Sequence, residues 1–131
     1  MVAATHNLPK VSYESITTSL LPAHYFYDSE HYAREEKLIF ERSWMSVGHA
    51  TLIPKPGDYM VRGVGSQEII VLRDNEGEVR AYYNVCRHRA RELLQDKGNI
   101  KRITCPYHGW TYDLSGDLLH ARNSENVPGF D

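Results

Sequence analysis

Cysteine is almost missing from this 131-residue chain: there are two, Cys86 and Cys105. That excludes the multi-disulfide framework of small secreted domains and leaves at most one bridge. Long hydrophobic runs are missing too, none approaching the roughly 18 to 20 residues that a membrane helix needs. The opening MVAATHNLPKVSYESITTSLLPAHY lacks the basic-then-apolar order of a secretory leader. A cytoplasmic location is therefore expected, with an organelle matrix as the alternative. Charge of one sign is not in excess: 15 Lys and Arg face 17 Asp and Glu, for a net charge of -2. No general affinity for nucleic acid or membrane follows. Internal repeats are absent, which excludes solenoid and propeller architectures. The length fits one domain with a modest core.

Residues 1–23 are mixed and polar, with Pro9 and Pro22, and read as an amino-terminal arm. A lead-in helix segment is predicted over 24–46. Asp28 or Ser29 is a suitable N-cap, Glu30 lies in the first turn, and Tyr32, Ile39, Phe40 and Trp44 fall on one face. Past Gly57 the apolar period changes to two, which predicts strands over 59–64, 68–73 and 79–85. Asp74 to Gly77 supply the hairpin turn between the second and third. Shorter strands are predicted over 99–104, 110–114 and 117–120, the last two joined around Ser115 and Gly116. The fold class is mainly β, a small antiparallel domain over 47–131 preceded by one α-helix. The closing ARNSENVPGFD reads as a connection.

The chemistry lies in two cysteine–histidine pairs. Cys86-Arg87-His88 and Cys105-Pro106-Tyr107-His108 are separated by the 16 residues Arg89 to Thr104. Both pairs fall where predicted strands meet loops, so two hairpin tips would each offer one thiolate and one imidazole. Such donors suit zinc, copper or iron, whereas the hard oxygen ligands that calcium and magnesium need are absent from both tips. A common zinc finger pairs like with like on separate elements, and here each tip mixes the two types. In a two-iron, two-sulfide centre of mixed ligation, two cysteines hold one iron and two histidines the other, matching these four residues one for one. Zinc in the same four ligands is the alternative. Imidazole adds less negative charge than thiolate, which places the potential of the two-iron centre within about −150 to +300 mV.

At these residues the chain resembles the Rieske family, whose motif is Cys-x-His, a spacer and Cys-x-x-His, commonly continued as Cys-Pro-Tyr-His-Gly-Trp. CRH and CPYHGW stand here. The respiratory branch adds a cysteine to each loop and a serine after His-Gly. This chain has Arg91 and Tyr107 in that neighbourhood and Trp110 after Gly109, which implies an oxygenase-type or ferredoxin-type cluster of low potential. The segment LPAHYFYDSEHYAREEKLIFERSWMSVGHA is similar to the lead-in of oxygenase α subunits, and YYNVCRHRA to their first cluster loop. The closing LLHARNSENVPGFD is similar to the carnitine, glycine betaine and choline monooxygenases.

The resemblance covers residues 21–131. It implies the electron-transfer domain of a monooxygenase acting on a quaternary ammonium compound. A reductase would supply the electrons, and the full-length protein would be a homo-oligomer, a trimer in the family. A mononuclear Fe(II) would sit in a carboxy-terminal catalytic domain outside these residues, so no catalytic residue is expected here and the chain alone should hydroxylate nothing. A stand-alone Rieske ferredoxin and a zinc-stabilised interaction module are the alternatives. One departure is Ala90, where the family has glycine after the His-Arg pair, which implies a first loop of different shape.

Arg87, Arg89 and Arg91, with Lys97, Lys101 and Arg102, concentrate positive charge beside the cluster, either to steer an acidic reductase or neighbouring subunit or simply as a solvated loop. Tyr107, Trp110 and Tyr112 are expected to pack around the cluster. His24, Asp28 and His31 could be offered as a second iron site, but Asp28 is more simply a cap. His6, His49 and His120 read as ordinary histidines.

Overall fold

The computed structural model describes residues 21–124 and 127–130. The chain divides into two compact units, Met1–Arg34 and Glu35–Asp131. The expected arm lies outside the described residues up to position 20, as does His6.

In the first unit a 3-10 turn, Ala23–Phe26, precedes the helix α1 (Ser29–Glu35). Asp28 caps it as expected: the Glu30 N–H donates to Asp28 Oδ1 at 2.9 Å and the Tyr32 N–H to the Asp28 carbonyl at 3.0 Å. His24 stacks on Tyr25, whose ring meets His31 edge-on. Among the described residues no three His, Cys, Asp or Glu side chains converge on one metal position, His24, Asp28 and His31 included.

The predicted helix to Trp44 is too long. In the second unit the chain passes into a π turn, Glu36–Phe40, closed by the Glu41 N–H donating to the Glu36 carbonyl at 2.9 Å. A π turn inserts a residue into the 3.6-residue period and rotates everything beyond it off the original face. Trp44 accordingly lies outside the helix and is fully exposed.

Among the described residues seven strands follow: β1 (Asp58–Val64), β2 (Gln67–Arg73), β3 (Val79–Tyr83), β4 (Lys97–Asn99), β5 (Ile103–Thr104), β6 (Thr111–Tyr112) and β7 (Leu118–His120). They form two antiparallel sheets, one ordered β3-β2-β1-β4 and one ordered β5-β6-β7. The segment predicted as one strand over 99–104 is two strands in different sheets. Ile100 makes the last tie to β1's lead-in, its N–H donating to the Gly57 carbonyl at 2.9 Å, before the chain crosses over. Alternation within a segment cannot reveal such a crossover, since Ile100 and Ile103 face the same core.

Strand β2 is flanked on both sides and buried on both faces, with Ile70, Val71 and Leu72 all buried. The period of two sends Ile70 and Leu72 into one core and Val71 into the other. Val71 joins Ile53 and Met60, while Ile70 and Leu72 pack with Ile103, Tyr112, Leu114 and both cysteines. The cysteines are thus part of the main core. Among the described residues no helix is long and apolar enough to cross a membrane.

Candidate metal centre

The two cysteine loops share one hydrogen-bonding plan. In the first, the Cys86 N–H donates to the Arg91 carbonyl at 2.8 Å and the Ala90 N–H returns to the Cys86 carbonyl at 2.9 Å. In the second, the Cys105 N–H donates to the Trp110 carbonyl at 2.8 Å and the Gly109 N–H returns to the Cys105 carbonyl at 3.0 Å. Both loops turn through a left-handed residue four places after the cysteine, Ala90 at φ 53° and Gly109 at φ 74°. The first loop is therefore not differently shaped for lack of glycine: Ala90 adopts the conformation that glycine would, at a strain of about 1 kcal/mol.

The loops differ in how they are tied down. The second joins β5 to β6, where Thr104 pairs with Thr111. The first has no ladder across its base, because β3 stops at Tyr83 rather than at the predicted 85. The Asn84 side chain takes the ladder's place. Its Oδ1 accepts from the Leu93 and Leu94 N–H groups at 3.1 and 3.0 Å, and its Nδ2 donates to the Leu94 carbonyl at 2.8 Å. Asn84 was not singled out in the sequence. Its signal is a polar residue between a strand and a cysteine, in YYNVC, of a type that bonds backbone.

The four predicted residues come together as two like pairs, cysteine with cysteine and histidine with histidine. Cys86 and Cys105 are buried free thiols with no disulfide between them. The imidazoles of His88 and His108 lie 4.8 Å apart, and the Nδ1 of each is buried without a hydrogen-bond partner. A buried ring nitrogen left unpartnered costs about 1–3 kcal/mol, so two side by side mark a place where something else is bound. Among the described residues no three ligand-type side chains meet at one point, as a single tetrahedral zinc would require. A two-iron cluster asks for only two protein ligands on each metal, and the donors present fit that demand.

The electrostatics agree with ligand chemistry. Burial pushes the Cys86 thiol up, but the Tyr112 hydroxyl, the His88 and Arg89 backbone and the Cys105 thiol outweigh it and hold Cys86 below its ordinary value. The Tyr112 hydroxyl lies 3.4 Å from Cys86 Sγ and accepts from the Arg87 N–H at 3.2 Å. Burial and the neighbouring cysteines raise that phenol to about 12, so it remains a donor. Burial, then the charges of His88 and Arg89, lower His108 and keep it in the neutral form that binds metal.

The three aromatics divide their roles. Trp110 of the second loop stacks on His88 of the first, with ring centroids 4.8 Å apart and an interplanar angle of 5°. Tyr107 stacks on His108 at 3.7 Å while remaining 58% exposed, so it forms a lid and not core. His49 is a cap that accepts from the Thr51 N–H, and His120 is exposed on β7, where it pairs with Thr111 at the base of the second cysteine loop.

Residues 43–131 match the family model of the Rieske [2Fe-2S] domain. The chain is 40% identical over 112 residues to the carnitine monooxygenase oxygenase subunit of Escherichia coli K12, covering 85% of this chain and 30% of that protein. It is 43% identical over 114 residues to the biphenyl 2,3-dioxygenase subunit alpha of Rhodococcus jostii RHA1, covering 86% and 25%. The structure superposes on the quaternary ammonium Rieske monooxygenase CntA in complex with L-carnitine with a TM-score of 0.79 at 40% identity, over 84% of this chain and 32% of that one. It superposes on naphthalene 1,2-dioxygenase with indole bound with a TM-score of 0.72 at 41% identity, over 77% and 23%. The chain thus spans under a third of the length of the relatives it matches.

Proposed function

Since the chain belongs to the Rieske [2Fe-2S] domain family, we propose that Cys86 and Cys105 hold one iron of its cluster and His88 and His108 the other. The two buried, unpartnered Nδ1 atoms beside two free buried thiols carry this assignment. When bound, the cluster supplies one-electron chemistry within about −150 to +300 mV. The chain's own residues set its surroundings. The Tyr112 hydroxyl and the backbone amides of His88 and Arg89 favour negative charge on Cys86 Sγ. Trp110 and Tyr107 cover the imidazoles and limit water around them, and Asn84 keeps the first loop in place.

The larger proposal is that this is the electron-transfer domain, within 47–131 and behind an arm (1–23) and lead-in segment (24–46), of a cytoplasmic Rieske monooxygenase α subunit. Electrons would come from a reductase and pass to a mononuclear iron in a catalytic domain outside the chain, across a subunit boundary of a trimer. A quaternary ammonium compound, carnitine, choline or glycine betaine, is the proposed substrate. Identity alone does not choose a substrate, since the match to the biphenyl dioxygenase is as high as that to the carnitine enzyme. The fuller overlap with the carnitine-bound monooxygenase supports the choice, with TM-scores of 0.79 against 0.72. Inter-subunit electron transfer is described for a quaternary ammonium Rieske monooxygenase at the same level of similarity. Relatives that share the segment before residue 43 favour an oxygenase subunit over a free ferredoxin.

The test uses the full-length protein with iron and a reductase. Dioxygen consumption stimulated by one of the three quaternary ammonium compounds, with an oxygenated product, is expected. The 131-residue chain under the same conditions should give no product. Turnover by the chain alone, or stimulation only by aromatic hydrocarbons, would contradict the proposal.

A further inference from the structure

Strand β3 is an edge of the first sheet, paired only with β2 among the described residues. Beside it a cleft of about 460 Å³ runs inward between the two sheets, from the exposed Tyr83 to the buried Ile70, Ile103 and Tyr112. A cleft that reaches core side chains at that volume falls within the range of small-molecule sites, roughly 300–1,000 Å³. Its wall is fixed before anything enters. The Tyr82 hydroxyl donates to the Leu114 carbonyl at 3.2 Å, and the β6–β7 turn comes so close that a Cβ on Gly116 would stand 2.8 Å from the Tyr82 ring. Its floor includes Tyr112, whose hydroxyl lies 3.4 Å from Cys86 Sγ. Among the described residues that line the cleft one is charged, Arg87. It is exposed and forms no ion pair among the described residues, and its N–H donates to the Tyr112 hydroxyl at 3.2 Å, which anchors it there. Apolar walls with one unpaired guanidinium select a ligand that is apolar over most of its surface and singly anionic at one end. Tyr82, Tyr83 and Tyr112 add aromatic surface and favour a ring system. A cation would meet Arg87 as a like charge.

We propose that this cleft binds an aromatic monocarboxylate, its ring between the two sheets and its carboxylate on Arg87, and that its occupancy makes the metal centre harder to reduce. The second half of the proposal rests on the cluster assignment above; the first does not. Reduction adds negative charge beside Cys86, and the guanidinium of the adjoining Arg87 favours that charge. A bound carboxylate cancels the guanidinium and removes its help. The same ligand lies against Tyr112, the side chain that joins the floor of the cleft to Cys86.

The experiment is calorimetric titration of the cluster-loaded, full-length protein with naphthoate, and with naphthylmethanol as the neutral analogue of the same ring. One saturable site for naphthoate is expected, with naphthylmethanol at least about tenfold weaker. Arg87→Gln should weaken naphthoate by about the same factor. Ala81→Phe, which adds a ring to the cleft from the edge strand, should abolish binding with iron content kept. Arg87→Gln carries the test where Ala81→Phe does not fold. In a redox titration, saturating naphthoate should lower the wild-type potential and leave that of Ala81→Phe unchanged. No saturable binding would overturn the proposal. So would an affinity unchanged in Arg87→Gln or in Ala81→Phe, which would place the ligand elsewhere in the protein. Ala81→Phe that dissociates copies of the protein in sedimentation while naphthoate still binds would also overturn it, since the cleft would then be an interface between copies. Binding with an unchanged wild-type potential would overturn the second half. Naphthoate bound with the expected affinities by a protein that takes up no iron would support the cleft and count against the cluster assignment.

Discussion

Cys86 and Cys105 sit at the base of two tips with the same backbone bonds, the same left-handed fourth residue and the same burial, yet one tip is closed by main chain and the other by a side chain. The second needs only the β5–β6 ladder at Thr104 and Thr111. The first depends on one buried amide, Asn84, which bonds Leu93 and Leu94 where a partner strand would. A tip closed by a ladder spreads its support over several main-chain bonds that a side-chain substitution leaves in place. A tip closed by one side chain can be released by one substitution. On the proposed assignment the pair would support the metal symmetrically and should fail asymmetrically.

The largest expected effect tests the symmetric half of that statement. Cys86→Ser and Cys105→Ser should each abolish cluster assembly, seen as loss of visible absorption and of iron, because each iron of a mixed-ligand centre has only two protein ligands. A coloured, iron-bearing protein from either variant would break the equivalence of the loops.

Asn84→Ala tests the asymmetry. It strands the Leu93 and Leu94 N–H groups and the Leu94 carbonyl, and should cost about 2–4 kcal/mol in denaturant unfolding, with reduced iron content. The counterpart Thr104→Ala loses one side-chain contact to Thr111 at 3.4 Å and should cost less than about 1 kcal/mol. Similar losses from the two would contradict the account.

The fourth positions sharpen the comparison further. Gly109→Ala should destabilise by about 1 kcal/mol through its positive φ alone, since an added Cβ would meet nothing nearer than Arg122 Cδ at 3.9 Å. Ala90→Gly removes the same strain from the first loop, offset by the greater backbone freedom of unfolded glycine, and should change stability by less than about 1 kcal/mol. The Tyr112 hydroxyl hydrogen-bonds the first cysteine, so Tyr112→Phe should lower the reduction potential without loss of iron. Its hydroxyl favours negative charge on Cys86 Sγ, and reduction adds such charge. A raised potential in a redox titration would contradict this.

The smallest effect lies outside both loops. Asp74 is buried in the β2–β3 turn, where the Arg80 guanidinium at 2.8 Å, and then the Glu78 N–H, hold its carboxyl below the ordinary 3.8. A depressed folded value means that the charged form stabilises the fold above about pH 4. That stabilisation is lost as pH falls through the folded value. Asp74→Asn should flatten the acid limb of stability against pH without changing the difference between the two loops at neutral pH.

Much of this was legible in the sequence. CRH and CPYHGW singled out the four residues proposed as donors, and the Val- and Ile-rich alternation gave β1, β2 and the Asp74 to Gly77 turn, because period and turn chemistry are local. What escaped was not local. The end of the helix is set by a π turn, the split of 99–104 by a change of sheet, and the role of Asn84 by two backbone amides 9 and 10 residues further on. Ala90 was readable as a departure from glycine, but whether backbone or sequence would yield there depended on the bonds closing the loop.

The central assignment is most directly tested by electron paramagnetic resonance of the anaerobically reduced protein, prepared with ¹⁵N-labelled histidine. A rhombic signal of low average g, with hyperfine coupling to two imidazole nitrogens, is the result expected if His88 and His108 share one iron. A silent, colourless, zinc-containing protein, or an iron–sulfur signal without nitrogen coupling, would contradict it.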